Sequence, residues 1–195
     1  HMAKNVADLI NKQAPVGDPK SFKAAIFYSI SNCQPGLRGV SLGNFLIKRV
    51  AQKLIEDIPT LKMFSTLSPI PGFTQWLDAG AALPEEKLSS AQQRKWHEAK
   101  NSLSIGSLSW AERLKNGWHP ERSDAHEKAP LMRLCALYLM HKTPEPQGDA
   151  VGKFHLSNGA TLHQINWAAD LSSKGLQQSA GLMVNYLYEL DKVEE

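Results

Sequence analysis

Cysteine is scarce: the chain of 195 residues has two, Cys33 and Cys135. They stand far apart with no CxxC spacing, which argues against a disulfide-stapled framework. Reduced, unpaired thiols in a cytosol-like compartment are the expectation. Charge of one sign is also lacking, with 22 Lys and Arg against 19 Asp and Glu and a net charge of +3. Without a basic run or a stripe of interleaved aromatics, no nucleic-acid partner is expected. The mild positive balance suits one anionic small molecule bound at one place. No apolar run approaches the ~20 residues that a membrane span needs, so no membrane partner is expected either. The seven histidines are scattered, with neither an HExxH motif nor a His/Cys cluster, and no metal is expected. The closing Val193-Glu194-Glu195 matches no C-terminal targeting signal. A cytoplasmic location is the expectation, with an organelle matrix left open.

What is present reads as one α/β domain with a real core. The hydrophobic fraction of 42% is ordinary for a globular chain, and there is no repeat or low-complexity segment. His1 and Met2 read as a cloning remnant. After a short apolar-periodic piece, Val6 to Ile10, Ala24 to Ile30 is almost continuously apolar, the pattern of a strand buried on both faces. A glycine-bearing loop, Gln34 to Gly43, follows. Ile47, Val50, Leu54 and Ile58 then recur at helical spacing until Pro59. Leu61 to Leu67 reads as a second strand. Strand, loop, helix, strand is a βαβ unit, so the two strands are expected to be parallel neighbours.

Residues 73–142 read as helices broken by turns, the last starting at Pro130 and carrying Leu131, Leu134, Cys135 and Tyr138. Thr143 to Asp149 reads as loop. In the last quarter, a short helix from near Ser173 precedes an alternating run, Leu182, Val184, Tyr186, Tyr188 and Leu190, that suggests a closing strand. The expected organisation is therefore a single domain over 3–195: a βαβ core at 24–72, a helical insertion at 73–142, and a closing segment at 143–195.

Three places carry candidate chemistry. In the loop, Gly36, Gly39 and Gly43 free backbone N–H groups to converge on an anion at a helix N-terminus. The spacing fits neither GxGxxG nor GxxxxGKS. A tight turn without a ligand explains the glycines equally well. Ser68 falls at the end of the second strand, where ligands gather in open α/β sheets. Pro69 holds it extended. It reads either as an oriented hydroxyl or as a helix N-cap. His155 precedes Asn158-Gly159, which marks either a hairpin turn or the stop of a short helix from near Asp149.

Two resemblances join these places. Arg38-Gly-Val-Ser-Leu-Gly43 resembles the Arg/Gln-x-x-Gly-x-Gly/Ala loop of the GNAT acyl-CoA-binding fold, with Ser41 in place of its first glycine. More extensively, the chain resembles malonyl-CoA decarboxylase. Phe27-Tyr-Ser-Ile-Ser31, Gln34 to Arg49 and Phe64-Ser-Thr-Leu-Ser-Pro-Ile-Pro-Gly-Phe73 look like that family's signature segments. Pro130-Leu-Met-Arg-Leu-Cys135, Phe154-His-Leu-Ser-Asn-Gly-Ala160, Ile165-Asn-Trp167 and Ala180-Gly-Leu-Met-Val-Asn-Tyr186 follow in the family's order. The resemblance implies a partial GNAT-like fold with a βαβ acyl-CoA-binding core. It implies release of CO2 from malonyl-CoA to give acetyl-CoA, with Ser68 and His155 as catalytic residues. It places the coenzyme A loop on Arg38, Gly39, Val40, Ser41, Leu42, Gly43 and Asn44.

Coenzyme A enters as part of substrate and product, and no separate cofactor is implied. Some family members carry glutamate where Ser41 stands, so an acidic helper there is missing. Family members begin with a helical domain and further strands, so this chain reads as a fragment. Its homo-oligomerisation, or its association with a missing N-terminal portion, stays open. Asn166, Asn185 and Tyr186 are secondary candidates for lining the pocket, Tyr186 reading more as core. Trp76, Trp96, Trp110 and Trp118 read as packing. Two rival readings stand beside the decarboxylase: an acyl-CoA-dependent N-acyltransferase and a non-catalytic acyl-CoA-binding fragment.

Overall fold

The computed structural model describes residues 2–28 and 43–189. Its core is a four-stranded sheet in the order β1-β2-β4-β3, formed by β1 (Ala24–Tyr28), β2 (Met63–Pro69), β3 (Thr161–Asn166) and β4 (Met183–Tyr188). β1 and β2 are parallel, from Ala24 opposite Met63 to Tyr28 opposite Leu67, as the βαβ pattern requires. The crossover helix α2 (Gly43–Asp57) carries Ile47 and Ala51 into the core. β2 begins and ends two residues later than its apolar run suggests, so Ser68 lies within the strand. β1 is an edge strand and only half-buried, with Tyr28 exposed. The expectation of burial on both faces is therefore corrected for Ala24–Tyr28: among the described residues β2 is its one strand neighbour, and β2 is the strand that is enclosed.

β4 runs antiparallel to both β2 and β3, which places the two middle strands in register as Phe64↔Tyr188, Ser65↔Leu187, Ser68↔Val184 and Pro69↔Met183. Between these pairs the backbone ladder is interrupted and side chains bridge the gap. The Tyr186 N–H donates to Thr66 Oγ1 at 3.3 Å, and Ser65 Oγ donates to the Tyr186 carbonyl at 3.0 Å. Asn185 Nδ2 donates to the Thr66 carbonyl at 2.7 Å. The backbone polar groups are thereby satisfied even where the strands do not pair.

The two faces of the sheet are unequal. Phe64 and Val184, with Tyr186 and Tyr188, point into the large apolar core that also holds Ile70, Phe73, Leu131 and Leu134. Leu67 and Met183 point the other way into a small cluster with Ala169, against which Val6 of α1 (Val6–Ile10) and Ile26 pack. Burying a large apolar side chain is worth ~1.5–3 kcal/mol. Most of the fold's cohesion therefore sits on the first face.

That face is covered by the helical stretch: α3 (Phe73–Asp78), α4 (Ser90–Ser102), α5 (Trp110–Lys115) and α6 (Ala125–Leu137). Ser89 with Gln92, and Ser109 with Glu112, form capping boxes that start α4 and α5. The tryptophans pack as expected, and their indoles are also tied down. Trp76 Nε1 donates to the Ala82 carbonyl, Trp96 Nε1 to that of Ala81 and Trp110 Nε1 to that of Leu176. Trp118 donates to Glu127 Oε2.

α6 begins at Ala125 behind an Asp124 cap, so the expected start at Pro130 is corrected. A proline inside a helix frees the carbonyl four residues earlier. Here that carbonyl, on His126, accepts a hydrogen bond from Ser102 Oγ of α4 at 3.4 Å. α6 continues into a π-helical turn, Tyr138–Lys142. The short helix near Ser173 is α8 (Ser173–Ser179), capped by Ser172.

Candidate functional site

Ser68 is placed by strand alternation. On β2 its side chain shares a face with Phe64 and Thr66, beneath the helical layer. It is not a helix cap, because α3 starts at Phe73 and takes Gly72 as its cap residue. His155 sits on α7 (Ala150–Ser157), where Asp149 caps the start and Gly159, at φ +78°, ends the helix. Asn158-Gly159 is thus a helix stop rather than a hairpin turn.

These elements bring two residues 87 positions apart into contact. Ser68 Oγ lies 3.0 Å from His155 Nε2, and both side chains are buried. The other ring nitrogen, Nδ1, lies 2.9 Å from Tyr188 Oη. Ser68 Oγ also lies 2.8 Å from Thr66 Oγ1. The four groups form one line: Tyr188, His155, Ser68, Thr66.

Two proton arrangements satisfy this line, one for each neutral tautomer of the ring. In one, Tyr188 donates to Nδ1, Nε2–H donates to Ser68, and Ser68 donates to Thr66. In the other, Ser68 donates to Nε2 and Nδ1–H donates to Tyr188. The histidine can therefore present a donor or an acceptor to Ser68 without moving.

The imidazole is held on its faces as well. The Tyr186 ring stacks on it at 4.7 Å and 25°, while Phe154 meets it edge-on at 5.2 Å. This burial lowers the His155 pKa from 6.5 to about 4, so the ring is neutral near neutral pH. Burial likewise pushes the Tyr188 phenol up to about 12, which keeps it protonated. In so buried a site the interactions of any charge with its neighbours are stronger than in water.

Tyr186 is a fully buried core residue, as expected, and its ring is the platform under His155. Asn166 and Asn185 bond to one another at 2.7 Å. Asn185, adjacent to Tyr186 on β4, points to the opposite face of the sheet and closes the gap at Thr66. The structure does not bring it to the serine–histidine pair. Arg38, Gly39, Val40, Ser41 and Leu42 lie outside the described residues, as does Cys33; Gly43 and Asn44 open α2. Cys135 is a buried free thiol whose pKa burial pushes up.

Sequence reasoning missed Tyr188 and Thr66 as parts of this site. Period two in a strand could have found both, since Thr66 is two residues before Ser68 and Tyr188 two after Tyr186. Among the described residues no group of His, Cys, Asp and Glu is arranged to hold a metal, and no helix is long and apolar enough to cross a membrane.

Fold and site together define a GNAT-like α/β domain with a buried serine–histidine pair, Ser68 on β2 and His155 on α7. The chain belongs to the malonyl-CoA decarboxylase family, since residues 1–195 match the family described as the malonyl-CoA decarboxylase C-terminal domain. It is 43% identical over 183 residues to the mitochondrial malonyl-CoA decarboxylase of Anser anser anser, covering 89% of this chain and 36% of that protein. To the mitochondrial enzyme of Rattus norvegicus it is 39% identical over 209 residues, covering 98% of this chain and 41% of that one. The crystal structure of malonyl-CoA decarboxylase from Rhodopseudomonas palustris superimposes on all of this chain, and on 42% of its own, with a TM-score of 0.73 and 36% identity. That from Cupriavidus metallidurans gives 0.70 and 39%, over all of this chain and 47% of its own. The chain thus spans less than half the length of each of these relatives.

Proposed function

We propose that this domain decarboxylates malonyl-CoA to acetyl-CoA and CO2, with Ser68 and His155 acting on the reacting thioester. The observation that carries the reading is the buried 3.0 Å contact between Ser68 Oγ and His155 Nε2 in a chain of this family. In the reaction the bond between the carboxylate carbon and the α-carbon breaks. Its electron pair moves into the thioester carbonyl, leaving an enolate. A proton then reaches the α-carbon.

Ser68 is suited to donate its hydrogen bond to the enolate oxygen. An oxyanion donor of this kind is worth roughly 3–4 kcal/mol. His155 is neutral in the free protein, but an enolate beside it favours the imidazolium and raises its pKa. The ring can therefore take up from solvent the one proton that the reaction consumes and release it to the α-carbon as the enolate charge is quenched. Tyr188 fixes the far nitrogen throughout. No acyl-serine is required, because no acyl group is transferred. Arg38, Gly39, Val40, Ser41, Leu42, Gly43 and Asn44 hold the coenzyme A pyrophosphate in this reading, on the strength of the loop's resemblance to acyl-CoA-binding loops. Both a cytoplasmic and a matrix location are compatible with it.

The test is acetyl-CoA formation and CO2 release by the purified chain with malonyl-CoA and no amine present, beside Ser68→Ala and His155→Ala. Turnover that disappears in both variants supports the assignment. Normal turnover in either variant removes that residue from the mechanism. Coenzyme A binding without turnover favours the binding-fragment reading, and turnover only with an added amine favours an acyltransferase. Arg38→Gln is expected to raise KM with kcat little changed.

A further inference from the structure

Asp149 does more than an N-cap requires. Its Oδ1 accepts the Gly152 N–H at 2.7 Å and so closes the first turn of the eight-residue helix that carries His155. A capping carboxylate needs one oxygen for this and ordinarily leaves the other in water. Here Oδ2 is buried without a hydrogen-bond partner, on a residue that is only 3% exposed. Burying a carboxylate oxygen costs free energy, so its placement calls for a reason beyond capping.

The surroundings supply one. Burial raises the Asp149 pKa above its ordinary value, and the backbone amides of Gly152, Gly72 and Val151 act against that rise, although Oδ2 has no hydrogen-bond partner. Gly72 is the last residue of the Ser68-Pro-Ile-Pro-Gly72 turn, and Tyr138 Oη from the π-turn lies 2.5 Å from where a Cβ on Gly72 would stand. On the other side Tyr186, the platform under His155, places its Oη 2.9 Å from the corresponding position on Gly152. The unpartnered hydroxyl of Thr143 completes the group, its methyl also against Gly152. The carboxyl is the polar centre between the serine's turn and the histidine's helix.

We propose that Asp149 is a positioning residue for the Ser68–His155 pair, tying the turn that leaves Ser68 to the first turn of the helix that carries His155. The proposal rests on the reading of that pair as the reacting one. Serine and asparagine cap helices about as well as aspartate. Neither can make the tie. A serine hydroxyl has no second oxygen to offer once it caps Gly152, and an asparagine puts an NH2 donor in the place of Oδ2, toward amides that already donate.

The test uses Asp149→Ser in the whole chain, read by thermal melting, by nitrogen NMR of the His155 imidazole, and by kinetics on malonyl-CoA. Melting is expected within a few degrees of wild type. The imidazole midpoint is expected to climb from about 4 toward its ordinary value as the ring loses its fixed, dry seat. Where turnover is measurable, kcat falls about tenfold or more with KM changed by no more than about twofold. A variant with wild-type imidazole signals and midpoint makes Asp149 a cap alone and overturns the proposal. If Asp149→Ser does not fold, Asp149→Asn is read in the same way; loss of the fold in both overturns it as well. The imidazole readout needs no turnover. A wild-type chain without decarboxylase activity whose His155 signals still respond to Asp149→Ser therefore counts against the proposed reaction and not against the tie.

Discussion

Tyr188 Oη and His155 Nδ1 lie 2.9 Å apart, on the edge of the ring opposite the contact between Nε2 and Ser68. The phenol is buried and stays protonated to about pH 12, so it can serve either tautomer of the imidazole as donor or acceptor. Ring orientation is therefore held from the side away from Ser68, while the proton is free to sit on either nitrogen.

Tyr188→Phe removes that control while keeping the ring's volume. The fold is expected to survive at a cost of about 1–3 kcal/mol, because Nδ1 is left buried without a partner. Turnover is expected to fall roughly tenfold, the equivalent of one lost hydrogen bond of ~1.4 kcal/mol to the reacting group. Chemical denaturation and steady-state kinetics on the same preparation check both figures.

Ser68 and Thr66 share a strand face and a hydrogen bond, yet their variants are expected to differ. Ser68→Ala takes away the proposed oxyanion donor and lowers kcat roughly 10²–10³-fold with little change in KM. Thr66→Val instead strands the Tyr186 N–H that bridges the gap between β2 and β4, costing about 1–3 kcal/mol of stability. Equal kinetic losses in the two variants would contradict this division of roles.

Gly152 lies inside α7, where exchanging glycine for alanine ordinarily stabilises a helix by about 0.5–1 kcal/mol. At this position a Cβ would stand 2.8 Å from the Thr143 methyl and 2.9 Å from Tyr186 Oη. Tyr186 is fully buried and cannot swing aside. Gly152→Ala is therefore expected to destabilise the chain, by about 1–3 kcal/mol as in other overpacked cores. A melting temperature above wild type would show that the helix can shift, and the His155 seat with it.

The parallel β1–β2 pair was legible because strand and helix periodicities alternate cleanly from Ala24 to Leu67. β3 was not: Thr161–Asn166 is a mostly exposed edge strand with no run of apolar residues to betray it. The start of α6 was hidden because Pro130 looks like a first-turn residue. The hydroxyl that accommodates it inside the helix, Ser102, comes from another helix entirely. The Ser68–His155 contact spans 87 residues, a separation no periodicity reports; the resemblance to a family named both residues. Thr66 and Tyr188 were within reach of strand alternation, whereas the second, buried oxygen of Asp149 is visible only once the chain has folded.

Acid should loosen the chain through His155, and the direction follows from burial. The unfolded chain takes a proton on this ring near pH 6.5, but the folded one refuses it until about pH 4. The folded state therefore holds its full His155 contribution above pH 6.5 and loses it progressively as pH falls across that window. At ~1.36 kcal/mol per pH unit the loss is about 3 kcal/mol. Asp149 works in the opposite sense. Its buried carboxyl has a pKa above the ordinary 3.8, so the folded state takes up that proton first and gains stability on acidification. Comparing wild type with His155→Gln cancels the Asp149 contribution, because both chains carry it. Urea unfolding at pH 7 and pH 4 should then show the stability difference between the two moving by about 3 kcal/mol in favour of the variant. An unchanged difference would mean that the ring is solvated or already charged when folded, and the neutral imidazole assigned to the resting site would have to be abandoned.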